Sequence, residues 1–522
     1  MAETFDYVIV GGGSAGCVLA ARLSEDAGCR VLLLEAGPPD DDPQLRMPAA
    51  APSFWQGRYA RDDLTVPQAQ AGGRRVFLSG GRTLGGGSTI NGMVYVRGNR
   101  ADYDAWRDAF GCDGWGFDDL EPYFRRAEDE LRMDAGGYLH PLSRRWVDAA
   151  VAAGLPASDD FNGAVQDGAG LYRATRRDGR RRSAADAYLR PAMDRPNLTV
   201  RTGVAVTRVV VERGRAVGVR PPDGVVRAER EVLLSAGAIG SPHLLLLSGI
   251  GPAAELAAHG VDLVADVPRV GAGLQDHPRC LVEWATPDVR NLWEDATPAN
   301  VALWEETGTG PMASCGAEAG GFARTRRGLA APDLQLGAIP GPVPGPGAPD
   351  RRGITTLVGA VDVASRGRVA LRSADPAVAP DVDPGYLTDP ADLEVLVAGV
   401  RIAREIAASR PLAGVVAGER TPGRDVVGDA LRDWVRGDAD TMFHLTGTCA
   451  MGADEASVCD PLLRVRGVDG LRVVDASVFP ATSRGNTNAP TIAVAERAAD
   501  LVRGQGVATS TAAARSSAGG TP

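Results

Sequence analysis

FDYVIVGGGSAGCVLAARLSEDAGCRVLLLEAG, Phe5–Gly37, is the stretch whose reading decides the fold. It opens on a short apolar run, Phe5–Val10, and meets Gly11-x-Gly13-x-x-Gly16 at once. Small and apolar residues at helical spacing follow over Ala15–Ala27, then a second apolar run, Arg30–Leu34, that ends at Glu35. Strand, tight turn, helix and strand in this order form the context in which G-x-G-x-x-G carries meaning. Gly11 permits the turn, Gly13 lets backbone approach a pyrophosphate, and Gly16 lets helix and strand pack closely. The helix N-terminus then meets the phosphates. Glu35 lies where a carboxylate can accept both ribose hydroxyls, and it would repel a 2′-phosphate. A lone glycine motif could be a turn without a ligand. The full unit with its terminal acid predicts a dinucleotide site, open at this point to either NAD or FAD.

The rest of the chain sets limits around this unit. At 522 residues it exceeds one simple core, so two or three domains are expected. A net charge of −10 argues against nucleic acid, whose phosphates need a basic face. Apart from histidine, every basic residue is arginine, which excludes a Schiff-base lysine or a lysine base. The seven cysteines are odd in number and scattered, with no disulfide framework and no C-x-x-C zinc site, so no metal centre is expected. No apolar run reaches membrane-spanning length. The first strand begins too early to leave room for a signal peptide, and the expected location is cytoplasmic. The terminal segment 507–522 is small, polar and aperiodic and is expected to be disordered.

Two further glycine-rich stretches follow. In GGRTLGGGSTINGMVYVRGNRADYDAW, Gly80–Trp106, the run Gly85–Gly87 precedes Ser88, Thr89 and Asn91. Such a run cannot stabilise a helix or strand interior and suits backbone laid against a ligand, with Ser88 and Asn91 donating hydrogen bonds. GAIGSPHLLLLSGIGP, Gly237–Pro252, follows the apolar strand Glu231–Ala238, and Ser241-Pro242 reads as a helix start. His243 reads as a surface or satisfied residue. His277, in VGAGLQDHP, reads as a structural histidine paired with Asp276.

Gly81-Arg82-x-Leu84-Gly85-Gly86-x-Ser88-x-x-Asn91 resembles the first signature of the glucose–methanol–choline (GMC) flavin oxidoreductases. Gly237-Ala238-x-x-Ser241-Pro242-x-Leu244-Leu245-x-x-Ser248-Gly249-Ile250-Gly251 is similar to the second. The likeness covers about residues 5–505. It implies FAD rather than NAD, on an α/β fold: a Rossmann-like FAD-binding domain with an inserted α+β substrate domain built on an antiparallel sheet. The expected FAD-binding domain is discontinuous, 1–155, 195–288 and 432–506, and the substrate-binding domain comprises 156–194 and 289–431. Ser365–Gly367 and Tyr386–Asp392 match landmarks of the latter. The implied cofactor residues are Gly11, Gly13, Ser14, Ala15, Gly16, Glu35, Ala36, Arg82, Gly87, Ser88, Asn91, Gly92, Met93, Val94, Val204, Ala236, Gly237, Asp475, Ala476 and Asn488. Val204 would reach the adenine end. Asn488 stands before the helix Thr491–Val502, where it could equally be an ordinary cap.

FHLTGTCAMG, Phe443–Gly452, holds one of five histidines. A lone histidine is by default a packed core residue. As a metal ligand beside Cys449 it would lack partners. As a base it has a suitable unperturbed pKa and small neighbours that leave space for substrate. The segment resembles the GMC catalytic stretch, with His444 at the base position and Asn486 at the second position of the pair. The implied reaction is oxidation of a primary or secondary alcohol to the carbonyl: His444 takes the hydroxyl proton, and hydride passes to flavin N5. Oxygen or another electron acceptor then reoxidises the flavin. A hydroxynitrile lyase and a flavin photodecarboxylase are the alternatives on the same fold.

Some relatives attach FAD through a histidine near the first signature. None occurs in 80–106, so the FAD is expected to be non-covalent. Asp62, Asp63 and Leu64 stand before Thr65-Val66-Pro67-Gln68 where relatives often carry a tryptophan, and the loop Leu131–Trp146 looks shorter than usual. Both changes bear on substrate access. Gly92, Met93, Phe443, Cys315 and Glu318 are the candidate pocket residues.

Overall fold

The computed structural model describes residues 3–134, 137–342 and 352–504. The expected disordered tail and most of the Pro/Gly-rich loop 337–353 lie outside the described residues. The opening unit forms as strand Thr4–Val10, helix Ser14–Leu23 and strand Val31–Leu34. Thr4–Val10 pairs in parallel with Val31–Leu34 on one side and with Val226–Leu234 on the other. Leu198–Arg201 adds in parallel outside Val31–Leu34, and Leu471–Val473 adds beside Val226–Leu234. Arg208–Glu212 and Arg215–Arg220 extend the far edge antiparallel. Parallel strands are covered on both faces, so they read as unbroken apolar runs; all four residues of Val31–Leu34 are buried.

Two contacts make this unit possible. Gly11 has φ +105°, in the left-handed region, and a Cβ on Gly16 would lie 1.9 Å from the Gly11 carbonyl oxygen. Only glycine at both positions lets the helix start so close to the strand. The helix Asn488–Val502 packs into the same core. It is tied to Ser14–Leu23 by Arg22, whose Nη2 and Nε donate to the fully buried Glu496 at 2.8 and 2.9 Å.

Two helix starts differ from the sequence reading. Gly237–Leu247 begins four residues before Ser241. Gly237 has φ +80°, and its N–H donates to Asp475 Oδ2 at 2.9 Å, so the chain turns into helix directly after the strand. Asn488–Val502 begins three residues before Thr491. Pro490 therefore falls in the first turn, where its missing N–H has no intrahelical partner to lose.

The second sheet is antiparallel, in the order Gly418–Thr421, Pro278–Ala285, Gly353–Ala360, Leu334–Ile339, Ala319–Ala323, Gly168–Leu171. Asp440–Thr441 pairs with Pro278 and Arg279. Helices Pro390–Ala408 and Pro141–Ala152 bury their apolar sides in the core of this sheet. Pro278–Ala285, Asp440–Thr441 and Pro141–Ala152 thus belong structurally with the antiparallel sheet, although the sequence boundaries at 288, 432 and 155 place them in the first unit. Their alternating or amphipathic patterns fit either layer, and only the long-range pairing decides.

Breaking the Arg22–Glu496 pair removes two charge-assisted hydrogen bonds between the helices, while Arg22 keeps Glu25 and Glu130. Glu496→Ala is expected to lower unfolding stability by about 2–3 kcal/mol, read as an earlier urea midpoint of the flavin-loaded protein. An unchanged midpoint would show that the helix pair does not depend on this contact.

Candidate active site

The candidate cofactor residues gather where two helices begin. Neither Ser14–Leu23 nor Asn488–Val502 has a side-chain cap at its N-terminus, so first-turn amides remain free for a ligand. Asn488 joins the two ends: its Nδ2 donates to Ser14 Oγ at 2.8 Å, and its Oδ1 is buried with no protein partner. It is a bridge, not a cap. Gly11, Gly13, Ala36, Gly92, Val204, Ala236 and Ala476 keep partial exposure, while Ala15 and Gly16 behind them are buried. A Cβ on Gly87 or Gly237 would meet nothing within 4 Å, although Gly86 presses against Gly13. Uncapped dipole ends, an orphaned amide oxygen and open space over glycine backbone suit a pyrophosphate joined to a flat ring system.

Several predicted residues hold this backbone in place. Glu35 accepts the Gly12 N–H at Oε2 and the Gly37 N–H at Oε1, both at 2.7 Å. Burial raises its pKa, and the two amide bonds oppose the rise. Val204 donates its N–H to the Glu35 carbonyl at 2.9 Å, beside the acid that closes the fingerprint. Asp475 accepts from the Gly237 and Ser477 amides and from Ser241 Oγ, while the Ala236 N–H donates to Ser241 Oγ. Arg82 is exposed, with its backbone N–H on the Tyr59 carbonyl.

Ser88 differs from expectation. It is buried, its Oγ donates to the Gly85 carbonyl at 2.6 Å, and it accepts the Ala184 N–H at 2.9 Å. Its hydroxyl is spent on shaping the glycine loop rather than on a ligand. Asn91 Oδ1 accepts the Met93 N–H and Arg181 Nη1. That cap holds Met93 in the left-handed region, φ +61°, beside Gly92 and Val94.

His444 and Asn486 line one cavity of about 180 Å³ together with Gly92 and Val94. Asn486 Nδ2 lies 3.1 Å from His444 Nε2, and His444 Nδ1 lies 3.0 Å from His277 Nδ1. Burial lowers the pKa of His444 to about 3 and that of His277 well below its ordinary value. Both imidazoles are therefore neutral at pH 7. Phe443, immediately before the histidine, has φ +62°.

His277 is the main residue that sequence reasoning misplaced. Only its backbone N–H reaches Asp276, at 2.9 Å, while its ring faces His444. Its position in a backbone-permissive loop was visible; the partner 167 residues away was not. His243 is half-buried, with Nε2 unpartnered, and so neither the surface nor the satisfied residue expected. Of the candidate pocket residues, Gly92, Phe443 and Cys315 line the cavity, and Met93 is buried next to it. Glu318 does not line it: its carboxylate accepts from Ser314 Oγ and the His140 N–H. Trp55 and Trp293, which the sequence did not single out, do. Cys449 is fully buried, and among the described residues no group of three His, Cys, Asp or Glu could hold a metal ion. No described helix is long and apolar enough to cross a membrane.

Comparison with known proteins agrees with this arrangement. Residues 5–279 match the N-terminal domain of the GMC oxidoreductases, and 363–495 match the C-terminal domain. The chain is 40% identical to an alcohol dehydrogenase [acceptor] of Pseudomonas putida, over 95% of each chain. It is 41% identical to an oxygen-dependent choline dehydrogenase of Ectopseudomonas mendocina, over 96% of this chain and 94% of that one. Pyridoxine 4-oxidase from Mesorbium loti superposes with a TM-score of 0.87 at 33% identity, covering 96% of this chain and 100% of the other. A formate oxidase superposes at 0.89 with 27% identity, covering 96% and 98%. Two signatures, a Rossmann-like layer with paired helix N-termini, and a histidine–asparagine cavity beside it agree with these matches: the chain belongs to the GMC oxidoreductases, FAD-dependent enzymes acting on CH–OH groups.

Proposed function

We propose that the protein oxidises an uncharged primary or secondary alcohol with an apolar body to its carbonyl compound, with His444 as base and Asn486 as the donor that holds the substrate oxygen. The observation that carries this reading is the cavity. It brings the pair together with Gly92 and Val94 of the cofactor set, and apart from Arg279 and Thr441 its other described lining residues are apolar or small. FAD, when bound, accepts the hydride and supplies the redox chemistry. The chain positions the alcohol, excludes water and moves one proton. The substrate O–H donates to His444 Nε2, Asn486 Nδ2 donates to the substrate oxygen, and the proton passes to Nε2 as hydride leaves the carbon. Charge that builds on oxygen only during reaction is what such donors stabilise.

The lining also speaks to substrate class. Trp55, Trp293, Phe443, Leu281, Ile339 and Leu357 supply apolar surface. The cavity is comparable in size with one of about 150 Å³ known to admit benzene. Among the described residues Arg279 is the only charged one that lines it, held by Asp440 at 3.1 Å, and no carboxylate does. Aromatic faces attract a cation by about 0.5–2 kcal/mol. Desolvating one without an anion costs several kcal/mol. The balance favours a neutral alcohol over a quaternary ammonium one, although choline dehydrogenases are among the relatives.

His444→Ala is expected to lower the flavin-reduction rate by about 10²–10⁴-fold while the protein stays yellow, with flavin released by acid from mutant and parent alike. Near-parental reduction with bound flavin would falsify the assignment of the base. Benzyl alcohol and 1-hexanol are expected to bleach the flavin anaerobically at concentrations where choline does not; preferential bleaching by choline removes the substrate class. The pH profile follows from burial. Because the pKa of His444 is lowered to about 3, its lone pair stays free on the acid side of the ordinary histidine range. The logarithm of kcat/KM should therefore run level from pH 8 to 5.5, and a bend near the ordinary histidine value of about 6.5 that disappears in His444→Ala would contradict a neutral, desolvated base.

A further inference from the structure

We propose that Gln335 and Tyr172 are positioning residues that set the tautomer of His444, so that Nε2, the nitrogen facing the cavity, carries the lone pair. The proposal rests on the reading of His444 as base and names what makes it one. Gln335 is buried on the strand Leu334–Ile339, and Tyr172 follows the strand Gly168–Leu171, so both come from the antiparallel sheet.

The direction of the hydrogen-bond chain is set at its far end. Tyr172 Oη donates to the Leu336 carbonyl at 2.6 Å, which uses its only proton. Toward Gln335 the same oxygen can only accept. Gln335 Nε2 lies 3.4 Å from Tyr172 Oη and 3.1 Å from Asn486 Oδ1, and its two protons serve these two acceptors. Asn486 is thereby turned with Nδ2 toward His444 Nε2, at 3.1 Å. A donor at that distance requires a lone pair on Nε2. The proton of the neutral imidazole then sits on Nδ1 and is donated to His277 Nδ1, at 3.0 Å.

The reversed chain can be weighed against this one. Turning both amides over would leave the two protons of the Gln335 amide buried without acceptors and would lose the bond to Tyr172. In the chain as drawn, Gln335 Oε1 and the Nε2–H of His277 go unpartnered. A carbonyl oxygen is the cheaper group to leave bare, and one orphaned N–H is fewer than two. The forward direction wins.

The consequence is chemical. A substrate hydroxyl entering between His444 and Asn486 meets an acceptor on one side and a donor on the other. The O–H bond breaks, the Nε2–H bond forms, and Nδ1–H stays on His277, whose lone pair faces the imidazolium. In the opposite tautomer Nε2 already bears a proton, and Asn486 presents an oxygen to the substrate oxygen; neither step can occur.

The test reads tautomer and rate separately in the oxidised, flavin-loaded enzyme. With ¹⁵N-histidine labelling, and His444 assigned by its loss in His444→Asn, the parental protein should show a protonated Nδ1 and an unprotonated Nε2. Gln335→Met should mix or invert the two. It should also slow anaerobic flavin reduction by benzyl alcohol roughly 10²-fold or more, as wrong-tautomer variants do elsewhere, with the alcohol Kd changed less than threefold. Tyr172→Phe, the milder change should Gln335→Met fold poorly, should lose rate in the same direction. Gln335→Glu should behave as a switch: its protonated carboxyl can donate to Asn486, its carboxylate cannot. Its reduction rate should therefore fall as pH rises, unlike the parent. A parental His444 protonated on Nε2, or a Gln335→Met enzyme that keeps tautomer and rate, overturns the proposal. Full activity in His444→Ala would instead remove the assignment of the base, which the spectrum does not depend on.

Discussion

One buried carboxylate organises the His444 side of the candidate site. Asp276 is 2% exposed and accepts four hydrogen bonds: from the backbone N–H groups of His277 and His444 and from the hydroxyls of Thr441 and Tyr386. Burial pushes its pKa up to about 6, and all four donors pull the other way. Four donors can be satisfied together only by the ionised form. Remove the acceptor, and two amides and two hydroxyls are buried without partners, at about 1–3 kcal/mol each. Asp276 touches neither imidazole ring. It places both histidines through their backbone, and the 3.0 Å approach of the two Nδ1 atoms follows. The same knot holds Phe443, the residue before His444, at φ +62°, with its N–H on Thr441 Oγ1, and Leu387, next to Tyr386, at φ +59°.

The two halves of the site are built by different means. The cofactor side is backbone: glycines at close approach, free helix ends and side chains such as Glu35 and Asp475 that hold amides in place. The substrate side is side chain, gathered from segments far apart in the chain. Asn486 comes from the turn before the last helix, His277 from the loop before Pro278–Ala285, and Gln335 from a central strand of the antiparallel sheet. Backbone suits a large invariant group whose phosphates and ring are always the same. Side chains suit a substrate that differs from one relative to the next.

That division also decides what could be read from sequence. The opening unit was legible because its constraints are local: a turn, a close contact five residues apart, an apolar period. His444 stood out as a candidate base through the company it keeps, two long signatures and the Asn486 turn. Ser88 was not, because a hydroxyl in a glycine loop looks the same whether it faces a ligand or the Gly85 carbonyl. Glu318 and His277 failed for the same reason. Residue type and neighbours do not reveal direction, and in both cases direction is set by contacts more than 150 residues away. Domain boundaries slipped where a strand such as Pro278–Ala285 takes its layer from a partner, Gly353–Ala360, much later in the chain.

A base so deeply buried raises an apparent contradiction. Burial keeps His444 neutral and its lone pair free, but it also makes the imidazolium costly, so an isolated transfer of the alcohol proton would be strongly uphill. On the proposed reading the resolution lies in timing. An alkoxide beside an imidazolium is an ion pair in a medium of low dielectric, where the attraction of opposite charges is large. FAD, when bound, would take up the hydride and its negative charge, and the uncapped N-terminus of Asn488–Val502, whose dipole favours an anion, is among the groups that would hold it. The positive charge on His444 would face the His277 lone pair. At no stage need a single charge stand alone in the cavity, provided that proton and hydride leave together or in close succession. The lining supports this: among the described residues it carries no carboxylate, and its one cation, Arg279, is paired with Asp440, so no unpaired charge competes with the two created by the reaction. The feature that makes His444 a poor base at rest is therefore the one that couples its protonation to the oxidation step.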